Sequence, residues 1–266
     1  MQLSGKTIFL TGAASGLGRE LALQLDQAGC YMLLADRNAA QLADVCAQLA
    51  NPAQPFVCDL SQADERKTLM ADLDELATRK NIHISALVHC AGIGSHAALE
   101  VMTTEEVNQV LQVNTVAPLE LTAGLKSLLK PGEPGGIVFI GSVAGEMTTP
   151  SMGLYSASKA ALHAFARATS LELAVNGHFT LLVILGALKN TRFAASIRNP
   201  ATHQPGWYRR LDADPRLVAA KIIQAMRKER NTLVYPAWYN LVFFLSRSFA
   251  PLTRFVSQHA YRRYRQ

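Results

Sequence analysis

What most restricts how this chain can fold is the regular exchange of short apolar runs with helix-length stretches. Lys6–Thr11 reads as a strand and Gly16–Ala28 as a helix. Cys30–Ala35 follows as a strand, and Ala39–Leu49 as a helix with Leu42, Val45, Cys46 and Leu49 on one face. Pro55–Cys58 predicts a short strand, Gln62–Arg79 a helix and Ser85–His89 another strand. Thr104–Leu129 reads as one long helical region, Ile137–Ile140 as a strand, Gly153–Val175 as a helix and Phe179–Leu185 as a strand. A strand as apolar as Phe179–Leu185 suits a parallel sheet covered by helices on both faces. The expected fold class is therefore α/β, a doubly wound parallel sheet whose ligands bind beyond the carboxyl ends of the strands.

A chain of 266 residues with 49% hydrophobic and 17% charged residues has ample material for one α/β domain and is too apolar to be disordered. The formal net charge of +6 does not argue for a nucleic-acid partner. Much of the excess sits at the end, in Arg247, Arg254, Arg262, Arg263 and Arg265, where a solvated tail suffices. Cys30, Cys46, Cys58 and Cys90 form no C-x-x-C pair and no zinc spacing, so no metal is expected. Free thiols suit a reducing compartment, and Met1–Lys6 leads straight into a strand rather than a secretory signal, which makes a cytoplasmic location the expectation. Asn190–Pro215, rich in Arg, Asn and Pro, breaks the regularity and reads as a functional lid.

Between the first strand and first helix lies Thr11-Gly12-Ala13-Ala14-Ser15-Gly16-Leu17-Gly18. Glycines there permit a tight turn and close approach, and a helix N-terminus offers N–H groups to a pyrophosphate. At the end of the second strand, Asp36 suits adenosine ribose hydroxyls and repels a 2′-phosphate, whereas Arg37 beside it could pair with that phosphate. NAD is the preferred cofactor on this basis, with NADP as the alternative.

Tyr155 and Lys159 stand four residues apart and share a helix face. A phenol with an ordinary pKa of about 10 needs roughly 4 kcal/mol of differential stabilisation to become a base near pH 7. A neighbouring ammonium together with an oxidised nicotinamide can supply it in a dry cleft. Ser142, just after the apolar strand Ile137–Ile140, falls at the carboxyl end of the sheet, where a hydroxyl can hold a reacting oxygen.

Together these features resemble the short-chain dehydrogenase/reductase family over roughly residues 5–235. Thr11–Gly18 is similar to its T-G-x-x-x-G-x-G motif, which implies Gly12, Ser15, Gly16, Leu17 and Gly18 as cofactor contacts. Asp59, followed by Leu60, matches the aspartate that contacts adenine. His89-Cys90-Ala91-Gly92 resembles the N-N-A-G motif with both asparagines replaced, so local repacking of the sheet support is expected while Ala91 and Gly92 stay at the cofactor. The resemblance implies a Rossmann-type sheet and a tetrad of Asn114, Ser142, Tyr155 and Lys159. Tyr155 would be the general acid/base, Ser142 would orient substrate, and Lys159 would bind the nicotinamide ribose. Asn114 would hold a water that links Lys159 to solvent. Leu185-Gly186-Ala187-Leu188-Lys189-Asn190-Thr191 departs from the family's P-G-x-x-x-T, which grips the nicotinamide amide: the proline is gone and the threonine comes one position later. Gly186 stays as a cofactor contact. Thr232–Tyr235 matches the last strand, and the family's habits imply a homodimer or homotetramer.

Residues 1–235 thus read as the dinucleotide-binding catalytic domain and 236–266 as an aromatic and basic helical extension. For the extension, with Trp238, Tyr239, Phe243 and Phe244 followed by arginines, three readings stand: a helix closing over the cleft or a subunit interface, a membrane-surface helix, or an extension of the core. The expected activity is hydride transfer between a nicotinamide and an alcohol or carbonyl, the substrate being apolar. A catalytically silent dinucleotide-binding sensor or scaffold, and a protein acting mainly at lipid surfaces, are the alternatives.

Overall fold

The computed structural model describes residues 1–96, 99–129, 132–147, 151–189 and 212–248. The strands are β1 (Thr7–Thr11), β2 (Tyr31–Asp36), β3 (Gln54–Val57), β4 (Ala86–His89), β5 (Gly136–Ser142), β6 (Phe179–Leu185) and β7 (Thr232–Tyr235). They form a single parallel sheet in the order β3-β2-β1-β4-β5-β6-β7. The order reverses between β1 and β4, and the carboxyl ends there are where ligands bind in this architecture.

Period-two alternation divides each apolar strand between two cores. Ile8 and Leu10 of β1, with Leu181, Val183 and Leu185 of β6, face helices α1 (Gly16–Gln27), α2 (Ala39–Cys46) and α7 (Pro215–Arg227). Phe9, Leu182 and Ile184 face the other way, onto α3 (Ala63–Lys80), α5 (Ala117–Leu125) and α6 (Gly153–Ala174). Helix α7 begins with Asp214 capping Arg216 N–H at 2.8 Å and Pro215 in its first turn, and it buries Val218, Ile222 and Met226.

Two boundaries differ from the sequence expectations in ways that matter for the site. Strand β5 does not stop at Ile140; Gly141 and Ser142 continue it by pairing with Ile184 and Leu185 of β6. The region Thr104–Leu129 is not one helix but α4 (Thr104–Leu111), a π turn (Gln112–Val116), α5 and a short 3₁₀ turn (Lys126–Leu128). Pro118 has no N–H to offer the Asn114 carbonyl four residues earlier, and Ala117 N–H reaches back to Gln112 instead.

Helix α8 (Tyr239–Ser248) starts the C-terminal extension. Phe243 is buried in the same core as Leu182 and Ile184 of β6, with Tyr239 packed beside it, while Trp238, Leu241, Phe244 and Leu245 are exposed. One face of this helix is core extension and the other looks outward. Of the segment read as a lid, residues 190–211, Thr191 included, lie outside the described residues, as do the arginines at 254, 262, 263 and 265; its last residues, Asp214 and Pro215, cap and begin α7.

Candidate active site

The glycine turn is built against the strand ends. Gly12 and Gly16 have φ of 70° and 53°, and a Cβ on Gly12 would come within 2.7 Å of Ala91 Cα. A Cβ on Gly18 would fall 2.0 Å from the Gly12 carbonyl oxygen. Ser15 stands at the N-cap of α1 in extended conformation with no side-chain capping bond, so the first-turn N–H groups at Leu17 and Gly18 are not claimed by its hydroxyl. Together these make a cradle that only a glycine backbone can line, set at a helix N-terminus, and they fit a dinucleotide pyrophosphate.

Asp36 does more than end β2. One carboxylate oxygen accepts the Ala14 N–H at 3.0 Å and the other the Asn38 N–H at 2.9 Å, so this carboxylate straps the turn. Arg37 is exposed beside it. After β3, Asp59 Oδ1 accepts the Ser61 N–H at 2.9 Å, and Leu60 is buried with its carbonyl taking a 2.7 Å bond from Arg66.

Ser142, Tyr155 and Lys159 come together at the carboxyl end of β5. Ser142 closes the strand, and its Oγ accepts the Ala144 N–H at 3.2 Å. Tyr155, in the first turn of α6, is buried; burial pushes its phenol above the ordinary value, and a hydrogen bond with the Ser142 hydroxyl opposes the push. Lys159, one turn on, is buried with Nζ 5.9 Å from the Tyr155 ring centroid and bonded to the Ile140 carbonyl at 3.0 Å. Burial brings its ammonium down to about 8. In the chain by itself, desolvation of the phenol therefore outweighs its hydrogen bond with Ser142.

Asn114 sits on the π turn and is buried. Its Oδ1 accepts the Ile93 N–H at 2.8 Å, and its Nδ2 donates to the Ile93 carbonyl at 2.9 Å and to Ser158 Oγ at 3.1 Å. This fastens the loop after β4, where Gly92 leaves an opening: a Cβ there would lie 3.4 Å from both Asn114 Oδ1 and Lys159 Nζ. The asparagines expected before Ala91 are replaced as follows. His89 bonds Thr122 Oγ1 at 2.9 Å and stacks on Phe139 at 5.2 Å between centroids, while Thr11 Oγ1 accepts the N–H groups of Cys90 and Ala91, each at 3.2 Å. Burial brings the His89 imidazole down to about 3 and raises the Cys90 thiol to about 12. Neither group is charged near neutrality. Gly186 donates its N–H to Tyr235 at 2.9 Å, and a Cβ there would meet the Tyr239 ring at 2.8 Å.

Sequence reasoning overlooked Arg66 and His163. Arg66 is 1% exposed and joins Leu60 to Glu120 of α5 through a 2.7 Å ion pair. Its signal was its phase with Leu69, Leu73 and Leu76 on the buried stripe of α3. His163 continues the Tyr155, Lys159 spacing by one more turn and is 1% exposed.

The fold is shared with known proteins. The short chain dehydrogenase family model matches residues 6–201. A Drosophila melanogaster protein described as dehydrogenase/reductase SDR family protein 7-like is 30% identical over 260 residues, 92% of this chain and 77% of that one. Among solved structures, a dehydrogenase/reductase from Sinorhizobium meliloti is 26% identical with a TM-score of 0.75, covering 88% of this chain and 95% of its own. A short-chain dehydrogenase from Streptomyces avermitilis is 25% identical with a TM-score of 0.78, covering 98% of both chains.

Proposed function

The chain belongs to the short-chain dehydrogenase family of oxidoreductases, and from that premise we propose that it interconverts an alcohol and a carbonyl with NAD(P), Tyr155 acting as general acid/base. The observation that carries this reading is the hydrogen-bonded Ser142–Tyr155 hydroxyl pair with the Lys159 ammonium beside it, at the strand ends next to the glycine cradle.

In the reducing direction Tyr155 Oη gives its proton to the carbonyl oxygen while Ser142 Oγ holds that oxygen in place; in the oxidising direction Tyr155 takes the proton back. Gly12, Ser15, Gly16, Leu17 and Gly18 cradle the pyrophosphate, Asp36 takes the adenosine ribose, Asp59 and Leu60 flank the adenine, and Ala91, Gly92, Lys159 and Gly186 line the nicotinamide end. When bound, the nicotinamide supplies or takes the hydride, and its oxidised ring adds positive charge near the phenol. Lys159 and Asn114, whose polar atoms converge on the space at Gly92, hold the proton route from Tyr155 outward. Asp36 favours NAD over NADP, because a carboxylate facing a 2′-phosphate is repelled.

The test is NADH oxidation over a panel of carbonyls, apolar ketones and aldehydes included, with wild type and Tyr155→Phe. Wild-type turnover that falls about 10²-fold or more in the variant, with NADH binding retained, is the expected result. NADH binding with no turnover on any carbonyl, or equal rates in the two proteins, overturns the assignment.

The exposed Trp238, just before α8, and Leu241, Phe244 and Leu245 on α8 support an apolar substrate or a peripheral membrane contact as part of the same reading. Among the described residues no helix is long and apolar enough to cross a membrane. Truncation at Pro236 would also remove the buried Phe243, so the cleaner probe is Phe244→Glu in flotation with anionic vesicles; unchanged flotation refutes the membrane contact. Four free thiols fit a reducing compartment such as the cytoplasm, and exposed Leu171 on α6 and Val175 at its C-cap favour a homodimer or homotetramer, readable from native mass.

A further inference from the structure

Ser142 stands on a stretch of β5 that outruns its neighbour. Strand β4 ends at His89, opposite Phe139, whereas β5 continues to Ser142. Alternate residues of a strand send their backbone groups to the same side, and Gly136 marks the side: its N–H bonds the Ser85 carbonyl, towards β4, at 3.0 Å. Ile140 and Ser142 share that side, so the Ile140 carbonyl and the Ser142 N–H point where β4 no longer offers partners. Helix α6 offers them instead. Lys159 Nζ donates to the Ile140 carbonyl at 3.0 Å, and one turn further His163 Nε2 accepts the Ser142 N–H at 3.2 Å.

The imidazole is braced from behind. A backbone N–H can only donate, so Nε2 is the acceptor and the ring proton sits on Nδ1, which donates to Glu146 Oε1 at 3.1 Å. Glu146 is also paired with Arg167, one further turn along α6. Between Ser142 and Glu146 lies the single 3₁₀ turn Val143–Gly145, capped by the Ser142 hydroxyl. One ring thus grips both ends of the turn that carries Ser142. The backbone leaves room for it: a Cβ on Gly141 would lie 2.3 Å from His163 Nε2, and one on Gly145 would lie 2.7 Å from Cε1. Burial brings the imidazole down to about 4, so it remains a neutral acceptor.

We propose that His163, held by Glu146 and Arg167, is the positioning residue for Ser142: it replaces the missing strand partner and sets the serine hydroxyl against Tyr155. The proposal rests on the oxidoreductase reading above. A simple strut would stabilise the fold without governing turnover, and the test separates the two. His163→Gln keeps an acceptor for the Ser142 N–H; His163→Leu has none. Four quantities are compared with wild type: kcat and KM for a carbonyl with NADH, the NADH dissociation constant, Tm, and hydrogen exchange at the Ser142 amide.

His163→Leu is expected to lower kcat about tenfold or more, since small misplacements of reacting groups are costly. NADH affinity should stay within about twofold, because the cradle is untouched. The Ser142 amide should exchange about tenfold faster or more, and His163→Gln should recover both kcat and protection to within about threefold. An amide that exchanges at the wild-type rate in His163→Leu overturns the contact. Wild-type kcat in His163→Leu, whatever its Tm, overturns the positioning role, as does a lost kcat in His163→Gln with the amide still protected. A wild-type chain that protects the amide yet reduces no carbonyl overturns the oxidoreductase reading itself and leaves His163 a strut.

Discussion

Arg66→Met asks whether one buried side chain holds the adenine side of the cleft. Methionine keeps much of the apolar stem of arginine and so preserves packing against α3 and α5. What it removes is the 2.7 Å bond to the Leu60 carbonyl and the 2.7 Å ion pair with Glu120. Glu120 is 44% exposed, so water takes over its carboxylate and the ion pair contributes little. The buried Leu60 carbonyl has no such recourse, and leaving it unpaired costs about 1–3 kcal/mol. Taking about 2 kcal/mol, Tm should fall by about 4–8 °C for a chain of this size. Because Leu60 adjoins Asp59, the loosened loop should also raise the NADH dissociation constant about threefold or more with kcat unchanged, the pattern of binding lost equally in ground and transition states. Thermal melts and fluorescence titration with NADH measure both. A lower Tm with unaltered NADH affinity would show that Arg66 only supports the fold, and a fall in kcat would show that the coupling reaches the reacting groups instead.

His89→Asn should make the protein less sensitive to acid. The folded-state value of His89, about 3, lies below that of a free imidazole, so the unfolded chain takes up a proton below pH ~6.5 that the folded one refuses. Stability is then lost as pH falls, by up to about 1.4 kcal/mol per unit, and His163, at about 4, acts with the same sign. Between pH 6.5 and 4.5 the fall in Tm should be roughly halved in His89→Asn; a wild-type slope would refute the burial argument. Asp36→Ala should lower the ratio of NADH to NADPH turnover about tenfold or more by removing the charge that repels a 2′-phosphate. An unchanged ratio would mean that Asp36 serves only as the strap for Ala14 and Asn38.

The parts of the fold legible in the sequence are those governed by local pattern. Strand β6 could be read residue for residue because six of its seven side chains from Phe179 to Leu185 are apolar, Thr180 being the exception, and both faces are covered. The Tyr155–Lys159 pair was legible because four-residue spacing needs no partner to define a helix face. The end of β5 was not, since Gly141 and Ser142 interrupt the apolar run and only pairing with Ile184 and Leu185 makes them strand. Helix α7 escaped notice although Asp214-Pro215 is a start signal, because the irregular segment before it drew the boundary too late. His163 and Arg66 escaped for another reason. A histidine or arginine in a helix reads as a surface residue until its partners are known, and those partners, Ser142 and Glu120, lie 21 and 54 residues away.

The two departures from regular structure, at the end of β5 and between α4 and α5, bring the candidate site together. Had β5 ended with β4, the Ile140 carbonyl and Ser142 N–H would have no open side, and Lys159 and His163 would have nothing on the sheet to hold. Had α4 run unbroken into α5, the Asn114 carbonyl would accept an N–H from residue 118; proline there denies it, and the helix widens into the π turn. Asn114 is then placed so that its side chain grips both backbone groups of Ile93 while Oδ1 stays beside the space at Gly92 that Lys159 Nζ also faces. An overlong strand and a proline-widened helix thus bring Ser142, Lys159 and Asn114 to the end of the sheet from three separate elements, and α6 needs only its helical repeat to add Tyr155.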